Sequence, residues 1–354
     1  MNVLLLHLDG KMPNLALMKL AAWHRAAGDH VVLRHAGNVA ALEPQLGDPD
    51  FERVYASLIF KASVPLGQRV IDLYPCAQIG GTGWSLTRTL PAEVDAMLPD
   101  YSVYPSTSDR RRGRAASIGF TQRGCRLSCG FCVVPTKEGK IRPVASLRDL
   151  WRGHEWPRQA KLLDNDFFGQ PNWRELVDEA VRDEWKVSLI QGINARFLND
   201  ETAAAVVRLG LKDDQFERPR VYTAWDGRKD EKRLFRGLDA LVRAGVKPDH
   251  IMVYMLIGYE AGETHEDRDY RRSKLRAFGA RPYPMPYARD GQSPSGTSGK
   301  ELVAFQRWVI QRKDLIKSWS DFWDRAHGDP RKLGDRRVSL PLFADPVTTD
   351  AEPT

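Results

Sequence analysis

The chain has 354 residues, with 53 Lys and Arg against 46 Asp and Glu, a formal charge of +7 and a pI near 9.2. Its 42% hydrophobic content suffices for two or three packed units. No apolar run reaches the roughly 18 residues a membrane helix needs, so no membrane partner is expected. The basic balance suits nucleic acid or phosphorylated substrates without singling out either. Four cysteines and no evident signal peptide make a reducing cytoplasm the expected location.

Residues 2–7 (Asn-Val-Leu-Leu-Leu-His) form a continuous apolar run, the pattern of a parallel strand buried on both faces. A helix is expected from about Asn14, with Leu15, Leu17, Met18, Leu20, Ala21 and Trp23 on its apolar face and Gly28 ending it. Residues 30–33, 53–60 and 77–83 read as further strands, the last running into Gly80-Gly81-Thr82-Gly83. That order predicts a small doubly wound, Rossmann-like sheet over residues 1–104. Its carboxyl edge would gather residues 8–11, Lys61 and residues 80–84. Cys76 stands alone and is expected to be buried as an apolar residue. Residues 105–114 start with proline, carry Arg110, Arg111, Arg112 and Arg114, and read as a basic linker.

Residues 116–120 read as a short buried strand that leads into Gly124-Cys125-Arg126-Leu127-Ser128-Cys129-Gly130-Phe131-Cys132. Three thiolates on one loop can bind three irons of a cubane cluster and leave the fourth iron without a protein ligand. A zinc site would need a fourth ligand, and the nearest downstream histidine is His154. A structural disulfide would need an oxidising compartment. Further strands are expected at 160–168, 187–196, 220–226, 251–258 and 282–287, with helices at 173–181, from Asp200 to Gly210, and ending at Gly245. About six βα units predict an open, partial (β/α)6 barrel over residues 115–290. A Gly/Ser/Thr cluster at 291–299 opens a helical extension over 291–342 containing Trp308, Trp319 and Trp323, and residues 343–354 read as a disordered tail.

The C-x3-C-x2-C run resembles the cluster loop of the radical S-adenosylmethionine (radical SAM) superfamily. That resemblance implies a [4Fe-4S] cluster held by Cys125, Cys129 and Cys132, with S-adenosylmethionine chelating the open iron. It implies an enzyme that cleaves this cofactor reductively to a 5′-deoxyadenosyl radical, and a separate reductant such as flavodoxin or ferredoxin. Phe131 matches the aromatic position near the adenine. Asp164, Asn165 and Asp166 stand at the second strand's end in place of the usual Gly-Gly-Glu run, as acceptors for the methionine amino group. Gln191, Asn194 and Arg196, at the close of the fourth strand, fall where the family contacts ribose and carboxylate. Leu256 and Gly258 fall near the adenine in a loose glycine–isoleucine–glycine pattern, with Tyr254 in place of its first glycine. Asp226 would end the fifth strand and face substrate.

Residues 1–104 resemble the cobalamin-binding domain that precedes many of these enzymes, with Ser57 and Gly80-Gly81 where that domain contacts the corrin. The D-x-H-x-x-G loop of that domain is absent. Cobalamin binding without that histidine stays open, with cobalamin-assisted methylation as one outcome, as does a domain kept for substrate binding or as a fold relic. With no further cysteine pair, neither an auxiliary cluster nor methylthio transfer is expected. Lys137, Glu138 and Lys140 read as substrate contacts or a solvated turn. Tyr222, Tyr254, Tyr283 and Tyr287 are candidate hydrogen donors to a substrate radical, with core packing the default for any one of them. Two other classes remain open: a metal- or cluster-stabilised nucleic-acid-binding module using residues 110–114, and a cluster protein that senses iron or oxygen. The substrate stays open among small molecule, nucleic acid and peptide.

Overall fold

A computed structural model describes residues 1–287 and 293–327. The expected tail at 343–354 and the end of the helical extension lie outside the described residues. The chain is α/β, with parallel sheets and ten helices among the described residues. No described helix is long and apolar enough to cross a membrane.

The N-terminal part runs β1 (Asn2–His7), α1 (Leu15–Ala26), β2 (His30–His35), β3 (Arg53–Ser57), α2 (Val64–Leu73), β4 (Gln78–Gly80) and the short α3 (Ala92–Asp95). Its four strands pair in parallel in the order β2-β1-β3-β4. The unbroken apolar run of β1 follows from burial on both faces. Val3 and Leu5 pack with Leu17, Met18 and Ala21 of α1, while Leu4 and Leu6 pack on the other face with Val54, Leu58, Val70 and Ile79. Each such side chain contributes about 1.5–3 kcal/mol by leaving water. Helix α1 starts where expected, with Asn14 Oδ1 accepting from Leu17 N–H at 3.2 Å. Trp23, however, is 38% exposed. The helix turns His24 inward instead, bonded to Asp29 at 2.7 Å and to the Tyr55 hydroxyl at 3.2 Å. Cys76 is exposed, against expectation. It lies between α2 and β4, where Ala77 N–H closes a turn on Tyr74 O, outside either apolar face.

The segment 105–114 is wound into 3₁₀ turns. Arg152 donates to Thr107 O and Ala115 O, and its guanidinium lies 3.9 Å from the Tyr101 ring and 3.7 Å from the Trp156 ring. Just before it, Tyr104 turns back to the end of β1. Its hydroxyl meets His7 Nδ1 at 3.0 Å and accepts from Asn14 N–H at 3.1 Å, while Asn14 Nδ2 donates to Ser57 Oγ at 2.8 Å. All four residues are buried.

Beyond this segment come β5 (Ser117–Gly119), β6 (Gln122–Arg123), α4 (Val134–Lys137), β7 (Arg142–Pro143), β8 (Gln159–Leu162), α5 (Trp173–Arg182), β9 (Lys186–Leu189), α6 (Asp200–Leu209), β10 (Val221–Ala224), α7 (Glu231–Ala244), β11 (Ile251–Ile257), α8 (His265–Phe278), β12 (Arg281–Pro286), α9 (Gly299–Ile310) and α10 (Trp319–His327). Two parallel three-stranded sheets result, β5-β8-β9 and β10-β11-β12, and β6 and β7 pair antiparallel across the base of the segment that carries the cysteines and α4. The loop after β9 joins the two sheets. Ile193 N–H donates to Tyr222 O at 2.8 Å, and Ala195 N–H to Thr223 Oγ1 at 3.2 Å. One core spans both sheets, with Leu162, Val187, Leu189, Val221, Val253 and Ile257 packed against the helices. Residues 163–168 are not strand, because the ladder ends when Leu163 N–H donates to Gly119 O. Counted from β5, the groups at 191–196 follow the third strand and Asp226 the fourth, one earlier than expected in each case.

Burial holds His7 well below the ordinary imidazole range, at about 4, with the neighbouring His35 adding to the shift. An unfolded chain takes up this proton near pH 6.5 and the folded chain near 4, so folded stability falls as pH drops across that window. We expect a loss of up to about 3 kcal/mol from this group. Thermal melts from pH 7 to 4 should show it as a slope that is shallower in His7→Asn.

Candidate metal centre

The cysteine loop begins where β6 ends, and polar side chains hold its entry in place. Asp164, 1% exposed, accepts from Thr121 N–H at 2.7 Å, from Gln122 N–H at 3.2 Å and from the Thr121 hydroxyl. Gln122, also buried, donates from Nε2 to Arg123 O and Gly124 O, and its Oε1 accepts from Asp166 N–H at 3.1 Å. Glu138, just after α4, accepts from Gly124 N–H, Arg123 and Asn165 Nδ2, each at 2.8–2.9 Å. The backbones of Gly139 and Lys140 close over Gly124. A Cβ there would sit 2.3 Å from Lys140 O, and φ is +77°, so only glycine fits. Cys125 N–H then donates to Gly139 O at 3.3 Å.

The three thiols are free and half-buried. Leu127 N–H points at Cys125 Sγ at 3.4 Å. Burial pushes all three thiols above their usual range, Cys132 to about 11; a Cys129 thiolate raises both others further, and a Cys125 thiolate raises Cys132. Thiols raised in this way become thiolates when a soft cation takes the place of the proton. Among the described residues, no three or more His, Cys, Asp or Glu side chains form a group that could hold a metal ion. Ligands of a multi-iron cluster bind different irons, so they need not converge on one point. Three cysteines on one loop, with N–H groups nearby and no competing disulfide, are a donor set that fits such a cluster.

Two kinds of surroundings meet at this loop. On one side Phe131, Leu256 and Tyr287 form an apolar nest with Cys129, Cys132 and Tyr259, and the Phe131 and Tyr259 rings are edge-on at 5.3 Å. Gly258 closes it, donating its N–H to Glu263. Glu263 in turn pairs with the buried Arg271, which also holds Trp225 O and Leu256 O at 3.1 and 2.9 Å. On the other side Arg196 faces Cys129, offsetting part of the burial that disfavours its thiolate. Arg196 Nε donates to Asn194 Oδ1 at 3.0 Å and Nη1 to Asp230 at 2.7 Å. Asp226 lies close enough to act on both Arg196 and Cys129, and burial raises its carboxyl to about 6. It makes no hydrogen bond with any other described residue. A pocket of about 190 Å³ opens beside the thiols, lined by Ser128, Cys129, Cys132, Pro135, Thr136 and, from the N-terminal part, Leu86.

The structure thus gathers Cys125, Cys129, Cys132, Phe131, Arg196, Leu256 and Gly258 at one place. Asp164 and Asn165 are turned to other work: the first caps the backbone at 121–122, and the second bonds Glu138. Burial pushes Asp164 up to about 7, which its three donors only partly offset. Asp166 pairs with Arg126, whose guanidinium also lies over Phe197 at 4.6 Å. Gln191 is half-buried and makes no side-chain hydrogen bond among the described residues. Lys137 reaches Thr82 of the N-terminal part, Glu138 clamps the loop, and only Lys140 has an exposed side chain. Tyr222 and Tyr254 stack at 5.7 Å, and Tyr283 meets Tyr254 edge-on at 5.6 Å, so these three are packed as a group. Sequence reasoning missed Arg126, Asp230, Tyr259 and Leu86. Arg126 sits inside the cysteine motif and was legible there, but the other three carry no local signal.

Comparisons with protein-family models, curated proteins and solved structures return no match. The arginine cluster is partly engaged within the protein. Arg110 donates to Glu155 O, and Arg111 and Arg114 pair with Asp109.

Replacing Asp164 by Ala strands two backbone donors and a hydroxyl in the interior, a cost of about 2–3 kcal/mol. The expected result is a lower melting temperature and faster alkylation of Cys125 by iodoacetamide than in the parent protein, followed by peptide mass spectrometry.

Proposed function

We propose that this protein is a radical SAM enzyme acting on a substrate still to be identified. The observation that carries this reading is that the three-cysteine loop brings Cys129 and Cys132 against an apolar nest, and Cys129 beside an arginine–carboxylate set. A second ligand with an aromatic part and a zwitterionic part needs both. A redox sensor whose cluster has no partner ligand needs neither. Bound here, a [4Fe-4S] cluster and S-adenosylmethionine supply one-electron cleavage of a carbon–sulfur bond, giving a 5′-deoxyadenosyl radical.

Cys125, Cys129 and Cys132 would hold three irons. Phe131, Leu256 and Tyr287 would shelter the adenine. Arg196, held by Asn194 and Asp230, would pair with the methionine carboxylate through its planar fork. Asp226, with unused acceptors, would take the amino group in place of the acceptors expected at 164–166. Gln191, at the same strand end as Arg196, is available to the ribose. The six parallel strands 117–119, 159–162, 186–189, 221–224, 251–257 and 281–286 follow one another in chain order with helices between most pairs. This order favours an open barrel with the site at its carboxyl end, where such barrels carry their reactive groups. One further cysteine, exposed Cys76, leaves no ligand set for a second cluster. The electron would therefore come from a separate reductant such as flavodoxin or ferredoxin, in a reducing cytoplasm.

Anaerobic reconstitution with iron and sulfide, then dithionite and S-adenosylmethionine, should yield about four irons per chain and 5′-deoxyadenosine by chromatography. Cys125→Ala, Cys129→Ala and Cys132→Ala should each lose both. An unchanged iron–sulfur absorbance in any of the three would overturn the reading.

Arg196→Ala and Asp226→Asn should keep their iron and bind S-adenosylmethionine at least about tenfold more weakly, the loss of one charge-assisted contact. Equilibrium dialysis with labelled cofactor measures this directly.

A further inference from the structure

The N-terminal sheet has the order β2-β1-β3-β4, so its strand connections reverse direction between β1 and β3. Parallel sheets of this kind take ligands in the crevice at that switch point, and the N-terminus of the following helix supplies N–H groups to the ligand. In this chain that crevice is occupied. His7 ends β1, Ser57 ends β3, and Asn14 caps α1, and the Tyr104 side chain reaches into the space they border. Its hydroxyl accepts the Asn14 backbone N–H at 3.1 Å and meets His7 Nδ1 at 3.0 Å. The rings of His7, His35 and Tyr104 lie within 4.8 to 5.7 Å of one another, and Tyr104 is 3% exposed.

The residues that resemble corrin contacts are likewise accounted for inside the protein. Ser57 Oγ accepts from Asn14 Nδ2 at 2.8 Å. Gly81 is glycine because the backbone of Leu58 passes against it: a Cβ there would lie 2.0 Å from Leu58 O, and φ is +97°. Of the pair, Gly80 alone faces open space. Tyr104 engages His7 Nδ1, and the unpartnered Nε2 is buried in a residue only 2% exposed, out of reach of a corrin cobalt. These residues do not fit cobalamin.

We infer that Tyr104 is the built-in occupant of this crevice, and that the N-terminal sheet serves as a fixed wall of the cysteine pocket rather than as a cofactor site. Three contacts make the sheet a wall. Tyr101, in the same pair of turns as Tyr104, accepts from Ile118 N–H of β5 at 2.7 Å. Thr82 receives the Lys137 ammonium. Leu86 packs on Val133 and lines the pocket beside Cys129 and Cys132. The tyrosine pair thereby links the sheet's position to the strand that feeds the cysteine loop, and Leu86 limits the size of what can approach the thiols from that side.

The test uses the full-length protein and does not depend on cluster loading, so its failure is separable from failure of the enzyme reading. Dialysis of the parent protein against 100 µM-scale hydroxocobalamin should leave no corrin absorbance on the protein, and retention near one per chain overturns the inference. Hydrogen exchange read by mass spectrometry supplies the second arm. Tyr104→Phe, which removes only the hydroxyl, should speed exchange about fivefold in the peptide containing Asn14 and Leu17, and should also speed it at residues 80–88. Tyr104→Ala should enlarge both effects. Exchange in Tyr104→Phe indistinguishable from the parent at both places would also overturn the inference.

Discussion

The site depends on a set of buried and half-buried polar side chains that grip the backbone just ahead of Cys125. Asp164, Gln122 and Glu138 satisfy the polar groups of residues 121–124, which no helix or long ladder could satisfy in so short a turn. Acceptors from the loop after β8 and from the end of α4 thus set where Cys125 starts. Because Asp166 is part of the same loop and pairs with Arg126, the grip continues into the motif itself. A loop fixed from both flanks can present three thiols without relying on a disulfide or a helix to order them.

The surroundings follow from parallel pairing. Parallel strands all end on one side, so their carboxyl ends deliver Arg196, Asp226, Leu256 and Gly258 to the same side as the cysteine loop. Arg271, buried at 2% exposure, ties the ends of two of those strands together through Trp225 O and Leu256 O, with Glu263 balancing its charge. The desolvation of such a pair is costly unless its remaining donors find partners, and here they do.

Much of the framework could be read ahead of time. Most strands after Cys132, and helices α5, α6 and α7, were visible in the sequence because burial on a parallel sheet leaves a continuous apolar stretch, while α8 was not read. The capping pairs Asn199–Thr202 and Thr264–Asp267 mark helix starts by local chemistry alone. The failures share a cause. Cys76 and Trp23 were assigned from residue type, whereas their exposure depends on helix phase and on what lies opposite. Asp164 and Asn165 were expected at a strand end as acceptors for a cofactor amino group, whereas Asp164 accepts from the backbone 42 and 43 residues away and Asn165 donates to Glu138, 27 residues away.

The chain's own order of residues decided the spacing of Cys125, Cys129 and Cys132 and the aromatic neighbour Phe131, since covalent geometry keeps groups within nine residues in short reach of one another. It also decided the α/β class, through periodicities that each element carries internally. Only the folded chain decided that Asp226 stands at Cys129 while Asp164 turns inward, that Leu86 reaches the pocket, and that Tyr104 fills the crevice at the end of β1. Those pairings join residues far apart in sequence. Packing selects them through burial and hydrogen-bond satisfaction summed over many partners, and no local pattern records that sum.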